Sequence, residues 1–468
     1  MKILFINKYL NKDTIYRIPF GLLYLGAMVK NKHDVYLVEP ERENLKEVIN
    51  NFKPDIIGYS VRTGLHQYYV ELNKKLKSQY DFISIFGGPH TTFFPEIINE
   101  PGIDIVGIGE CEASFLELVN KIEAKENYFN TPNYWFKKEG EIIKNPPAPL
   151  EQNLDSLPFP DRSLIDHHKE LRHLKIHSFS TIRGCPYNCA YCFNHKLKEL
   201  YSGQPYVRQR SVDNFISELN QVASKYKIDR VIFEDDTFNL NKEWLRELVK
   251  KYPKIPFKCM IRANLADEES ISLLKQAGCL SVTFGIEAGN DRIRNEILKR
   301  NLTKEQMLNC AKLLKKYKIK FITENILANP TSSLEDDIET LDLSIACKPD
   351  FANASLLNPY PRTEIYNIAV KAGEYQPKDF NEMSSFFDSA PLTIKNIPER
   401  KNLQRLFALI VGFPKLRKHL PFLLKQKRLR PLYSLLHSIW RPYCLMFKVM
   451  PHKISPRETF WLLRRYLS

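Results

Sequence analysis

The sequence predicts an α/β protein made of two successive β/α assemblies, a doubly wound parallel sheet and then a partial (β/α)6 barrel, followed by a basic, mainly helical C-terminal region. Three observations predict this. Short apolar runs alternate with amphipathic stretches over residues 1–125, the pattern of a parallel sheet covered by helices. Six further strand–helix units begin near Ser178, which suits an open barrel with its site at the carboxyl ends of the strands. Charge is placed unevenly. From Glu399 to Ser468 sixteen Lys/Arg stand against two acids, so nearly all of the net +15 lies there.

The first series has candidate strands at Lys2–Asn7, Asp34–Glu39, Asp55–Val61, Phe82–Phe86 and Ile103–Gly107. Helical patterns at Phe20–Asn31, Leu65–Ser78 and Cys111–Ile122 lie between them. Ligands of such sheets bind beyond the carboxyl strand ends, which here carry SVRTG (60–64), FGGPH (86–90) and GIGE (107–110). Asn133–Asn145 suggests a hairpin turning at Glu139–Gly140. A proline- and acid-rich stretch over 149–174 has the composition of a linker. The barrel strands are expected at Ser178–Ile182, Arg230–Phe233, Phe257–Ile261, Ser281–Gly285, Lys320–Ile326 and Ala352–Asn358. Helices are expected at Val212–Lys227, Lys242–Lys251, Glu268–Ala277, Lys304–Tyr317 and Leu334–Ile345. The domains expected are 1–148, a linker 149–174, a core 175–378 and the basic region 379–468.

Composition narrows the classes. A hydrophobic content of 43% with 26% charged residues belongs to a folded chain, not a disordered one. No apolar run reaches the ~18 residues of a membrane span, and the N-terminus lacks the pattern of a secretory signal. A cytoplasmic location is expected. Nine cysteines are present, six scattered and three within eight residues, which argues against a disulfide framework and for a metal centre.

Those three stand in Arg183-Gly-Cys-Pro-Tyr-Asn-Cys-Ala-Tyr-Cys-Phe-Asn-His195, with C-x3-C-x2-C spacing, directly after the first barrel strand. Thiolates ligate iron–sulfur clusters. Three ligands for four irons leave one iron open to a substrate. The competing assignment is structural zinc on Cys185, Cys189, Cys192 and His195, but zinc knuckles draw on two separated pairs and no second pair is present.

Cys185, Cys189, Tyr191 and Cys192 match C-x3-C-x-aromatic-C, and the chain here resembles the radical S-adenosylmethionine (SAM) enzymes. The resemblance implies that Cys185, Cys189 and Cys192 bind a [4Fe–4S] cluster whose open iron chelates SAM. Cleavage of SAM then gives a 5′-deoxyadenosyl radical, with Tyr191 near the adenine. It extends to FEDDTF (233–238), where Asp235 or Asp236 would meet the methionyl ammonium. It also covers FGIEAGN (284–290), where Glu287 would hold the ribose, and Arg262, a partner for the cofactor's carboxylate. Two segments depart from the family pattern. Ala328-Asn-Pro-Thr-Ser332 stands for G-x-P-G-E, and Asn358-Pro-Tyr-Pro-Arg-Thr363 for P-x-P-G-T.

The preceding Rossmann-like domain, with FGGPH, GIGE and a D-x-L-P-x-P linker (155–160), resembles the cobalamin-binding class of these enzymes. This implies cobalamin approached by Ser60, Gly87 and Gly88. No D-x-H-x-x-G supplies an axial histidine, and the absence of G-x-G-x-x-G weighs against a dinucleotide. The activity implied is methylation of an unactivated carbon. Oxidative cyclisation or rearrangement with the same cofactors is the alternative, and a non-catalytic iron–sulfur redox sensor the alternative of another class. A small-molecule or lipid-like substrate and a one-electron donor such as a flavodoxin or ferredoxin follow as partners. The tail interleaves Lys/Arg with Leu, Phe and Trp, which favours contact with the inner membrane surface over nucleic acid.

Overall fold

The computed structural model describes residues 1–8, 18–167, 175–376 and 392–449, which fall into two compact units. The first contains residues 1–8, 18–167 and 199–205. Its strands are β1 (Lys2–Ile6), β2 (Asp34–Val38), β3 (Ile56–Ser60), β4 (Ile83–Gly87), β5 (Ile105–Gly107), β6 (Tyr134–Lys138) and β7 (Glu141–Lys144). Helices α1 (Phe20–Val29), α2 (Leu45–Phe52), α3 (His66–Lys77), α4 (Pro89–Phe93) and α5 (Glu112–Glu123) connect them. The spatial order is β2-β1-β3-β4-β5-β6-β7, with β1 to β5 parallel. Chain order therefore reverses between β1 and β3, which places the sheet's ligand crevice at their carboxyl ends. Ile3–Ile6 of β1 and Ile56–Tyr59 of β3 are buried without alternation because helices cover both faces of the sheet. The expected hairpin forms and adds β6 and β7 antiparallel to β5.

Residues 149–167 pack onto this unit. Leu150 and Leu154 are buried, and Leu164 and Ile165 join the core of Ile3, Phe5 and Phe115. Leu154 and the pair Leu164–Ile165 stand on two short 3-10 helices, Leu154–Ser156 and Arg162–Ile165, started by the side chains of Asn153 and Asp161.

The second unit contains residues 175–198, 206–376 and 392–449. Here β8 (Ile176–Phe179) is followed by β9 (Ile182–Arg183), α6 (Asn194–Leu200), β10 (Arg208–Gln209), α7 (Val212–Lys225), β11 (Arg230–Phe233), α8 (Lys242–Lys251) and β12 (Phe257–Met260). The series continues with α9 (Glu268–Ala277), β13 (Cys279–Glu287), α10 (Lys304–Lys316), β14 (Lys320–Leu327), α11 (Leu334–Cys347), β15 (Phe351–Leu356) and α12 (Glu364–Lys371). The six main strands lie side by side in chain order, β8-β11-β12-β13-β14-β15, all parallel. This is the open (β/α)6 barrel expected. Side-chain caps start α7 to α11, with capping boxes at Asp267, Thr303 and Ser333. Strand β8 ends at Phe179 rather than Ile182. The reason is local: the N–H groups of Thr181 and Ile182 bond the Asp235 carboxylate, so the chain leaves the sheet.

The basic region begins with α13 (Ile397–Gly412), whose Leu403, Phe407 and Ile410 cover Leu327, Leu341 and Ala354. Arg400 and Asp337 form a fully buried ion pair at 2.8 Å, joined by Ser332. Removing one partner of such a pair costs about 3–5 kcal/mol, because the other is left charged and dry. Two further helices, α14 (Leu420–Lys425) and α15 (Arg430–Tyr443), pack behind α13. Among the described residues, no helix is long and apolar enough to cross a membrane.

Candidate functional site

The segment 184–194 carries the three cysteines between β9 and α6. Asp235 holds its base. That carboxylate, at the carboxyl end of β11, is 1% exposed and accepts bonds from Thr181 N–H (2.7 Å), Thr181 Oγ1 (2.6 Å), Ile182 N–H (2.9 Å) and Ser180 Oγ (3.2 Å). Burial raises it to about 6 against these four donors, so it is ionised at neutral pH, as its donors require. Its neighbour Asp236 is exposed instead and accepts from Asn194 Nδ2 at 2.9 Å. The same amide lies 3.6 Å from Cys192 Sγ. Of the two aspartates, only Asp236 is open to a ligand.

Around the sulfurs the donors are polar and cationic. Cys185 Sγ lies 3.9 Å from Thr237 Oγ1. Buried Cys189 faces two guanidinium groups, Arg262 Nη1 at 3.8 Å and Arg300 Nη1 at 3.6 Å. Arg262 is held by Asn239, which bonds both its N–H and its carbonyl, and its guanidinium stacks on the Tyr187 ring. Arg300 also donates to Gly285 O at 2.9 Å, and its Nε is buried with no partner among the described residues. Tyr191 donates to Glu287 Oε1 at 3.1 Å, and Arg300 Nη2 stands 3.9 Å from the same oxygen. Burial raises the Glu287 carboxyl and pushes the Cys192 thiol up to about 11. Thiolate ligation therefore needs a cationic partner to offset desolvation.

The structure thus brings Cys189, Tyr191, Arg262, Glu287 and Arg300 together, with Cys192 and Asp236 joined through Asn194. Arg300 has no motif to announce it. Its place is set by fully buried Arg294, which bonds the carbonyls of Ala288, Gly289 and Leu302 and so shapes the loop on which both Glu287 and Arg300 stand.

Among the described residues, no three His, Cys, Asp or Glu side chains converge on one metal ion. A four-iron cube takes each thiolate on a different iron, and guanidinium and amide N–H groups beside the sulfurs suit its negative charge. The residues fit a cluster.

The two departures from the family pattern have a backbone signature. Ala328, Thr331 and Arg362 occupy the glycine positions of the family pattern given above, and all three are at positive φ (59°, 62° and 70°). The loops keep the glycine conformation without the glycine.

In the first unit, Ser60 ends β3 and Gly87 ends β4. A Cβ at Gly87 would meet nothing within 4 Å, whereas Gly88, at φ +106°, lies so close to β3 that a Cβ would sit 2.9 Å from Val61 O. Bare, tightly paired backbone at this end suits a bulky planar ligand. A cleft of about 430 Å³ lined by Met1, Asp55, Lys77, Phe82, Asp104 and Lys137 lies instead at the amino ends of the strands and includes none of these residues.

Residues 179–344 match the radical SAM superfamily and residues 15–119 the B12 binding domain. An uncharacterized methyltransferase of Pyrococcus horikoshii is 30% identical over 365 residues, covering 75% of this chain and 78% of that one. The anaerobic magnesium-protoporphyrin IX monomethyl ester cyclase of Rubrivivax gelatinosus is 25% identical over 374 residues, covering 74% of this chain and 65% of its own. The radical S-adenosylmethionine methyltransferase TsrM of Kitasatospora setae, solved with tryptophan and a SAM analogue, shares the fold with a TM-score of 0.67. It is 19% identical and covers 80% of this chain and 76% of its own.

Proposed function

The chain belongs to the radical SAM enzymes that carry a cobalamin-binding domain, and from that premise we propose that it methylates an unactivated carbon of a small-molecule or lipid-like substrate. Its cofactors are a [4Fe–4S] cluster, SAM and cobalamin. When bound, these supply a carbon-centred radical that removes a substrate hydrogen and a methyl group for the carbon so exposed. Cys185, Cys189 and Cys192 hold the cluster. Arg262 and Arg300 place N–H groups at the Cys189 sulfur. Tyr191, Asp236, Arg262 and Glu287 line the SAM site, while Asp235 fixes the loop that presents the cysteines. Ser60, Gly87 and Gly88 leave backbone bare for cobalamin.

The observation that carries this reading is the convergence of both arginines on Cys189 beside the Tyr191–Glu287 hydrogen bond. That arrangement offers positive charge and a carboxylate within one site, as a zwitterionic, ribose-bearing ligand requires. The domain division proposed is 1–148 for cobalamin, 149–174 as the connection, 175–378 as the radical core and 379–468 as the basic region. A flavodoxin or ferredoxin would deliver the electron. The same reading places the chain in the cytoplasm with peripheral contact at the inner membrane surface through the basic region.

Anaerobic purification followed by incubation with reductant and SAM labelled in its methyl group tests it. A copurifying corrinoid spectrum, with 5′-deoxyadenosine that disappears in Cys189→Ala, is expected. Absence of corrinoid under conditions that load the cluster would count against it. The cyclase relative supports a second reading, oxidative ring formation. It predicts a product without the methyl label.

A further inference from the structure

The C-terminal helices carry a surface that the radical chemistry does not use. From Phe413 to Lys448 there are nine Lys/Arg and no acid. Lys415, Lys418, Lys425, Lys427 and Arg428 are exposed, and among the described residues none has an acidic partner. On α15 and the turn after it, Leu432, Leu435, Ile439, Tyr443 and Phe447 recur every three or four residues and are 45–55% exposed. That spacing puts them on one helix face. The opposite face is fixed: Tyr433 is buried and donates to Leu423 O, Trp440 donates to Ala408 O, and Cys444 packs with Ile322 and Phe351. The apolar stripe is therefore held outward by a rigid base. Phe422, 65% exposed, extends the apolar surface to α14. Lys448 lies over the rings of Trp440 and Tyr443, at 4.6 and 5.9 Å.

We propose that this outward face of α15, with the basic residues 415–428 beside it, docks on an anionic lipid bilayer surface. The identity of the surface rests on the peripheral placement proposed above and is independent of the radical reaction. Charge complementarity selects the occupant. A second copy of the chain would bring like charge against like charge across a two-fold interface. A nucleic acid would match the charge but leave Leu432, Leu435 and Ile439 without the stacking that bases ask of aromatic side chains. Lipid satisfies both halves. Aliphatic side chains enter the acyl boundary, Tyr443 sits at the headgroup level, and lysines reach the phosphates.

The test uses the full-length, cluster-loaded protein and vesicles of phosphatidylcholine with or without phosphatidylglycerol, read by flotation. The wild type is expected to float with the anionic vesicles, to be released by salt, and to stay behind with the neutral ones. Each basic residue near the surface contributes roughly fivefold in affinity. Replacing all five of Lys415, Lys418, Lys425, Lys427 and Arg428 by Gln should therefore weaken binding by tenfold or more. Leu435→Gln with Ile439→Gln and Phe447→Gln should do the same, with an unchanged thermal melt. If both variants float like the wild type, this face is overturned while the peripheral placement stands. If the wild type does not bind anionic vesicles, both fall. Dimerisation lost in the apolar variant without any flotation, or binding to single-stranded RNA without flotation, would also overturn it.

Discussion

Asp235→Ala removes the one acceptor shared by two backbone N–H groups and two hydroxyls at the base of the cysteine loop. The hydroxyls can rotate; Ser180 Oγ already has Ile182 O at 3.4 Å. The N–H groups of Thr181 and Ile182 cannot, and both residues are buried. Each unsatisfied N–H costs about 1–3 kcal/mol, so the substitution should destabilise by about 2–6 kcal/mol. Most of that loss falls on the segment between β8 and Cys185. The variant should therefore melt at lower temperature and, after anaerobic reconstitution, hold less than half of the wild-type iron and sulfide per folded chain. Asp235→Asn keeps an oxygen for the two N–H groups and should load as the wild type does. A fully loaded Asp235→Ala with an unchanged melt would refute the assignment of Asp235 as the clamp of the loop.

Arg300→Gln withdraws a cation from the Cys189 sulfur, and since hydrogen bonds to cluster sulfurs help set the potential, the cluster should become harder to reduce. An EPR-monitored redox titration reads this, and an unchanged midpoint would show that Arg300 does not face the cluster. Thr331→Gly should raise the unfolding free energy by about 1 kcal/mol, read as a higher melting temperature, because it relieves a β-branched residue at φ 62°; its hydroxyl contact with Arg292 is exposed. A fall in stability would locate the strain elsewhere. The Asp235 carboxyl, raised from 3.8 to about 6, keeps its proton to higher pH in the folded than in the unfolded chain. Its contribution is present in full below about pH 4 and is lost as pH rises to 6. The wild type should therefore lose up to about 3 kcal/mol relative to Asp235→Asn across that window in denaturant titrations, and parallel curves would exclude the shift.

The cysteine loop and the barrel were legible because their signals are local. Three thiols in eight residues need no tertiary information, and Arg230–Phe233 and Lys242–Lys251 match their expected bounds. What escaped depended on distant partners. Arg300 meets Cys189 across 111 residues of chain. Asp235 and Asp236 are indistinguishable in FEDDTF, and only the fold shows that one turns inward to the 180–182 segment while the other stays exposed. Helix α2 does carry Leu45, Val48, Ile49 and Phe52 on one face, but at eight residues it is too short for that period to stand out from the surrounding Lys, Glu and Asn. The basic region showed its leucines and aromatics, but which of them lie outward is decided by the packing of Tyr433 and Cys444. The glycine-to-Thr331 and glycine-to-Arg362 departures looked like changes of side chain alone. They are also changes of strain.

Cys185, Cys189 and Cys192 are proposed to present a cluster with one iron open to SAM. EPR of the anaerobically reconstituted, reduced protein, recorded with and without SAM, tests it without knowledge of the substrate. A [4Fe–4S] signal whose g values change when SAM is added is expected, with loss of that signal when all three cysteines are replaced by alanine. A cluster signal that SAM leaves unchanged, or one that survives the triple replacement, would contradict it.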